Sequence, residues 1–252
     1  MQLDVVDLRQ FYESRLGLIV TRLLRGRIRE IWPDAAACRV AGCGYAVPYL
    51  RPLIEGAERT VAFMPAAQGV HRWPPGEAGL VALVDETDLP VADASIDRLL
   101  VAHALENSEE LRPMLREFWR VLAPEGRLLV LVPNRAGLWA RFERTPFGHG
   151  HPYSPPQLNR LLRESLFSPI RTLPALYFPP SRSAVWLRAA PAIERLGARL
   201  GWWAFAGALL IEVGKQVYSP TGLIKVSARE RRRRALATSP AAVRFERERE
   251  RR

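Results

Sequence analysis

Apolar residues recur at helical spacing through the first thirty residues. Val5, Leu8, Phe11 and Tyr12 lead into Leu16, Ile19, Val20, Leu23, Leu24, Ile28 and Ile31, and this period predicts one or two helices over 4–31, ended by Pro33. The pattern then changes to short apolar runs bounded by turn residues. Cys38–Ala41, Thr60–Met64, Leu80–Val84, Ile96–Ala102, Arg127–Val132, Ile170–Phe178 and Gly207–Tyr218 read as seven strands. Arg127–Val132 is almost continuously apolar, as a strand covered on both faces should be. Helical periodicity returns between them at 47–56, where Pro48 and Pro52 interrupt it, and at 109–122, 155–166 and 184–200. Strands alternating with helices predict an α/β chain with a doubly wound, mostly parallel sheet.

Composition supports one sizeable core, since 48% of the 252 residues are hydrophobic. The net charge of +11 is unevenly spread. Residues 225–252 hold eleven basic and four acidic residues, which is +7, and leave only +4 for the rest. We therefore expect a single domain over 1–226, with N-terminal helices at 4–31 and a core at 35–218, followed by a basic, disordered tail at 227–252. Interleaved glutamates and scarce aromatics make the tail a solvated extension. Binding of nucleic acid or an anionic membrane through it is the lesser alternative.

The longest apolar run, Trp202–Ile211, is too short to span a bilayer. The N-terminus lacks the basic and apolar regions of a signal peptide, so the expectation is a cytoplasmic chain. Cys38 and Cys43 read as reduced thiols. No metal site is expected, because no second Cys/His pair stands at ligand spacing, and His149 and His151 have no acidic or Cys partner nearby. Trp186, Trp202, Trp203 and Phe205 are expected to be aromatic core, with a substrate wall or partner surface as the alternative.

The candidate chemistry starts at Arg39-Val40-Ala41-Gly42-Cys43-Gly44-Tyr45-Ala46, two glycines between a strand and a helix. In a parallel α/β protein this is where backbone approaches a nucleotide-like ligand. Downstream run Asp85…Asp88-Leu89-Pro90, Asp93-Ala94-Ser95-Ile96-Asp97, His103-Ala104-Leu105-Glu106-Asn107, Arg120 to Leu128, and Val132-Pro133-Asn134. In this order and spacing the chain resembles the class I S-adenosylmethionine-dependent methyltransferases, in particular methyltransferase type 11.

The resemblance implies a Rossmann-like, seven-stranded sheet with an antiparallel last strand, and S-adenosylmethionine as cofactor. The function it implies is methyl transfer to an acceptor, with a protein partner as a further option. The site it implies is Gly42, Cys43 and Gly44 at the methionine part, Phe63 at the end of the second strand, and Asp85 and Glu86 at the adenine. Ala102 and His103 would lie near the sulfonium and the acceptor. His103 is the candidate general base, since its ordinary pKa lies near neutrality. Lining the pocket is its simpler role, because transfer can proceed by positioning alone. A nicotinamide dinucleotide is disfavoured, since that fingerprint's third glycine is missing.

Three positions depart from the family pattern. Val40 stands in place of an acid, Ala46 in place of the last glycine, and Phe63, followed by Met64 and Pro65, where an acid pairs with both ribose hydroxyls. Charge-assisted bonds of that kind are worth roughly 1.5–3 kcal/mol each. The competing expectation is therefore a catalytically silent member of the fold that serves as a binding or regulatory scaffold.

Overall fold

The computed structural model describes residues 3–216. The expectations for the tail, and for Tyr218 as a strand end, lie outside the described residues. The opening helical block is two helices, α1 (Val5–Glu13) and α2 (Arg15–Ile31). Asp4 Oδ1 accepts the Val6 N–H and caps α1. Ser14 is extended and its Oγ accepts the Gly17 N–H, so one residue ends α1 and caps α2. The two helices meet so closely that a Cβ at Gly17 would stand 2.0 Å from the Phe11 carbonyl oxygen.

The strands are β1 (Arg39–Gly44), β2 (Arg59–Pro65), β3 (Val81–Val84), β4 (Ile96–Ala102), β5 (Leu122–Pro133), β6 (Phe167–Ala175) and β7 (Ala208–Lys215). The helices between them are α3 (Val47–Leu50), α4 (Leu111–Val121), α5 (Pro155–Glu164) and α6 (Ala184–Leu200). One seven-stranded sheet has the order β3-β2-β1-β4-β5-β7-β6. The first five strands in that order run parallel, and β7 runs antiparallel to both β5 and β6. This is the expected Rossmann-like sheet with its antiparallel last strand.

Among the boundaries that differ from the sequence reading are those of the first, fifth and sixth strands. The first strand runs on to Gly44, so both glycines pair with neighbours inside the sheet rather than in a loop after it. The fifth strand starts at Leu122, because Leu122 already pairs with Ile96 despite the turn residues Pro124-Glu125-Gly126. The sixth strand lies three residues earlier than expected, in register with β7 from Phe167 to Ala175.

Alternation along the strands divides the apolar residues between two cores, one on each face. Leu100, Ala102, Leu129 and Leu131 face the layer of α1, α2, α3 and α6, while Leu99, Val101, Leu128 and Val130 face α4 and α5. Trp186, Trp202, Trp203 and Phe205 correct the sequence reading. They are not core, because α6 seats on the body through Ala190, Glu194 and Gly197 and turns these rings outward.

Candidate functional site

The strand order reverses between β1 and β4, where open α/β sheets leave a crevice at their carboxyl ends. Register pairs Gly44 with Ala102 there, and the Tyr45 N–H donates to the Ala102 carbonyl at 2.8 Å. Gly44 has φ +75°, and a Cβ on it would stand 2.3 Å from the Ala102 oxygen. A Cβ on Gly42 would meet Leu50 Cδ1 at 2.6 Å and Ala46 Cβ at 2.7 Å. Each glycine thus makes room for the chain's own atoms, β4 in one case and α3 in the other.

Beyond β4 stands a chain of buried polar side chains. The Tyr49 and Tyr12 hydroxyls are 2.7 Å apart, Tyr12 Oη lies 2.6 Å from His103 Nε2, and His103 Nδ1 lies 3.0 Å from Glu106 Oε1. An ionised Glu106 only accepts, so Nδ1 then carries the hydrogen, and a neutral imidazole accepts from Tyr12 at Nε2. Glu106 Oε2 has no hydrogen-bond partner among the described residues. Burial pushes the Tyr12 and Tyr49 hydroxyls well above the usual tyrosine range, and raises Tyr45 to about 12.

His103 has φ +55°, which costs energy for a residue with a Cβ. Its carbonyl accepts from Gln68 Nε2 at 2.9 Å and Asn107 Nδ2 at 3.1 Å, which holds the turn. The imidazole is 1% exposed, with Tyr12 on one side and the Phe147 ring edge-on at 5.0 Å on the other. Phe147 comes from the Pro146–Gly148 turn, and the His151 N–H donates to the Glu106 carbonyl. The arrangement is a buried imidazole whose Nε2 is covered by the Tyr12 hydroxyl. An outside molecule meets Nε2 only if Tyr12 moves.

Helix α1 covers this crevice. Leu3, Val5, Leu8 and Tyr12 are buried, and the Val5 N–H donates to the Gln68 carbonyl. What remains beneath, lined by Leu3, Gln68, Glu86, His103 and Ser108 among others, is about 20 Å³. Glu86 and His103 are thus brought to one cavity, with Ala102 and Gly44 beside it. Asp85 is exposed, and its Oδ1 accepts from both the N–H and the hydroxyl of Thr87. The Thr87 hydroxyl, then its N–H, hold the Asp85 carboxyl below its ordinary value. Cys43 and Phe63 pack in the core facing α4, where burial raises the Cys43 thiol to about 12. Gln68, Tyr49 and Glu106 were not singled out from sequence. A Glu three residues after His103 was the one signal available.

Residues 41–130 match the family model described as a methyltransferase domain. Over this stretch the chain is similar to methyltransferase domains. The chain is 42% identical over 53 residues to a ubiquinone/menaquinone biosynthesis C-methyltransferase of Rubrivivax gelatinosus, covering 21% of each chain. It is 35% identical over 92 residues to a demethylmenaquinone methyltransferase of Deinococcus radiodurans, covering 34% of this chain and 38% of that one. These matches span well under half of either relative. A crystal structure of an S-adenosylmethionine-dependent methyltransferase from Thermotoga maritima shares the fold, with TM-score 0.56 and 15% identity over 84% of this chain and 95% of that one.

The methyltransferase family implies S-adenosylmethionine, but the residues present do not fit that group in the described conformation. The cavity at Glu86 and His103, of about 20 Å³, is far below the roughly 300–1,000 Å³ of small-molecule sites, and the larger cavity of about 820 Å³ lies instead against Tyr12, Tyr45, Val47 and His71. β2 ends in buried Phe63, Met64 and Pro65, which leaves no carboxylate for a ribose. Among the described residues no helix is long and apolar enough to cross a membrane, and no cluster of metal-ligating side chains occurs.

Proposed function

We propose that this protein is an S-adenosylmethionine-dependent methyltransferase whose cofactor seat is closed by α1 until ligand displaces that helix. The carrying observation is the place of α1. It covers the β1–β4 crevice within the segment that matches the methyltransferase model, and a single extended residue, Ser14, joins it to α2. Methyl transfer as the reaction class is supported by the names of both curated relatives. Opening α1 would carry Tyr12 away from His103 and free its Nε2 for an acceptor.

A second reading is favoured by the filled seat and by the apolar end of β2. In it the fold is catalytically silent and serves as a scaffold. Titration calorimetry with S-adenosylmethionine and S-adenosylhomocysteine distinguishes the two, run on the native chain and on Tyr12→Ala, which loosens α1. Binding to either protein, tighter for Tyr12→Ala, supports the enzyme. Absence of heat from both at millimolar ligand, with both proteins folded by circular dichroism, leaves the scaffold.

A further inference from the structure

We propose that α6 and the turn after it form a docking surface for an anionic lipid bilayer, lying in its interface rather than crossing it. The exposed tryptophans of the described residues, Trp186, Trp202 and Trp203, all belong to this segment, 44–45% exposed, and Phe205 beside them is 65% exposed. Along α6, Val185, Ala192, Leu196 and Leu200 follow one another at intervals of seven, four and four, and so share one face. That face is exposed. The opposite face carries the buried residues Ala190, Glu194 and Gly197 that seat the helix.

Charge chooses the occupant. Arg188, Arg195 and Arg199 recur at intervals of seven and four, along one flank of the exposed apolar stripe, and Arg182 precedes the helix. The one acid between 182 and 205, Glu194, is buried, accepts the Leu176 and Tyr177 N–H groups and lies 3.6 Å from Arg27. The outward surface therefore combines large apolar side chains with arginines and presents no carboxylate. Monomeric proteins rarely expose contiguous apolar surface of this kind without a partner. An apolar stripe of Val and Leu flanked by Arg, with exposed Trp and Phe beside it and in the turn that follows, is the composition of helices that lie in a bilayer interface, and anionic lipid supplies the missing counter-charge.

The turn Trp203–Phe205 is anchored to the body. Asn134 Nδ2 donates to the Trp203 and Ala206 carbonyls, and Asn134 directly follows β5. The aromatic turn thus sits at the carboxyl edge of the sheet, the edge that carries His103. A docked bilayer would lie beside the mouth of the crevice. The inference does not depend on methyl transfer.

The test is tryptophan fluorescence of the full chain with phosphatidylglycerol or phosphatidylcholine vesicles, each with bromine-labelled acyl chains. Residues 218–252 contain no tryptophan, so quenching reports on α6 and its turn and not on the basic tail. Strong quenching with phosphatidylglycerol and little with phosphatidylcholine is expected. The double variants Trp186→Ser/Phe205→Ser and Arg188→Glu/Arg195→Glu, both at exposed positions, should each lower the vesicle partition constant at least tenfold, with unchanged circular dichroism. The proposal is overturned if labelled anionic vesicles do not quench, or if both variants quench as the native chain does. It is equally overturned if sedimentation without lipid shows a dimer that buries these tryptophans and does not dissociate on vesicles.

Discussion

The Tyr12 hydroxyl on α1 lies 2.6 Å from Nε2 of His103 at the end of β4, and neither ring is open to solvent. This contact links the cover of the crevice to the buried imidazole within it. It also joins Tyr49, so three side chains from separate elements share one polar line. Inside a protein such lines are costly to leave half-made.

Tyr12→Phe removes the hydroxyl and leaves both Tyr49 Oη and His103 Nε2 without that partner. A buried polar group left unsatisfied costs about 1–3 kcal/mol. Equilibrium urea unfolding should show a loss in that range, with little change in the urea dependence. A loss below about 0.5 kcal/mol, within the usual reach of innocuous substitutions, would show that the line contributes nothing to holding α1 down.

Gly44→Ala forces a Cβ to 2.3 Å from the Ala102 oxygen at a backbone angle of +75°. Left-handed backbone strain alone costs of order 1–3 kcal/mol for a residue with a side chain, and here the turn must also move away from β4. Thermal unfolding should fall by several degrees at least. An unchanged midpoint would mean that the turn relaxes freely and that its geometry is not set by the sheet.

Acid should expose two carboxylates. Bonds from the Arg39 side chain hold Asp97 below the ordinary carboxylate range, and bonds from Arg120 do the same for Glu117. A depressed folded value means that each contributes stability present above its unfolded value, near 3.9 for Asp and 4.3 for Glu. That contribution is lost as pH falls through the lower folded value. Between about pH 5 and pH 3 the native chain should therefore lose more stability than the double variant Asp97→Asn/Glu117→Gln. Parallel pH profiles for the two proteins would contradict the assignment.

The two thiols should differ. Cys43 is buried and its thiol is raised to about 12, whereas Cys38 is half-buried. Because the thiolate is the reactive form, an aromatic disulfide reagent at pH 8 should titrate one thiol per native chain quickly, and the second only in denaturant. Two fast thiols under native conditions would mean that β1 opens readily at its glycine end.

Much of the fold was legible because burial writes itself into period. Strands covered on both faces are runs such as Leu128–Val132, and amphipathic helices repeat every three to four residues. Boundaries were less legible. Pro124-Glu125-Gly126 carries turn chemistry, yet β5 passes through it because pairing with β4 begins at Leu122. The aromatic segment 202–205 was misplaced for a related reason. Apolar character marks a preference for burial, but whether another surface arrives to cover it depends on how α6 seats.

From the residues alone followed the alternation of strands and helices, the order of the motifs from Gly42 to Asn134, and the absence of an acid at the end of the second strand. These are local or regularly spaced properties, set by periodicity and side-chain chemistry. The contents of the crevice were decided only by tertiary structure. Tyr12 meets Tyr49 across 37 residues and His103 across 91, and Gln68 reaches the His103 carbonyl across 35. Contacts at such separations leave no period in the chain. They exist because parallel β1 and β4 bring their carboxyl ends together and because α1, released from α2 at Ser14, folds back over them.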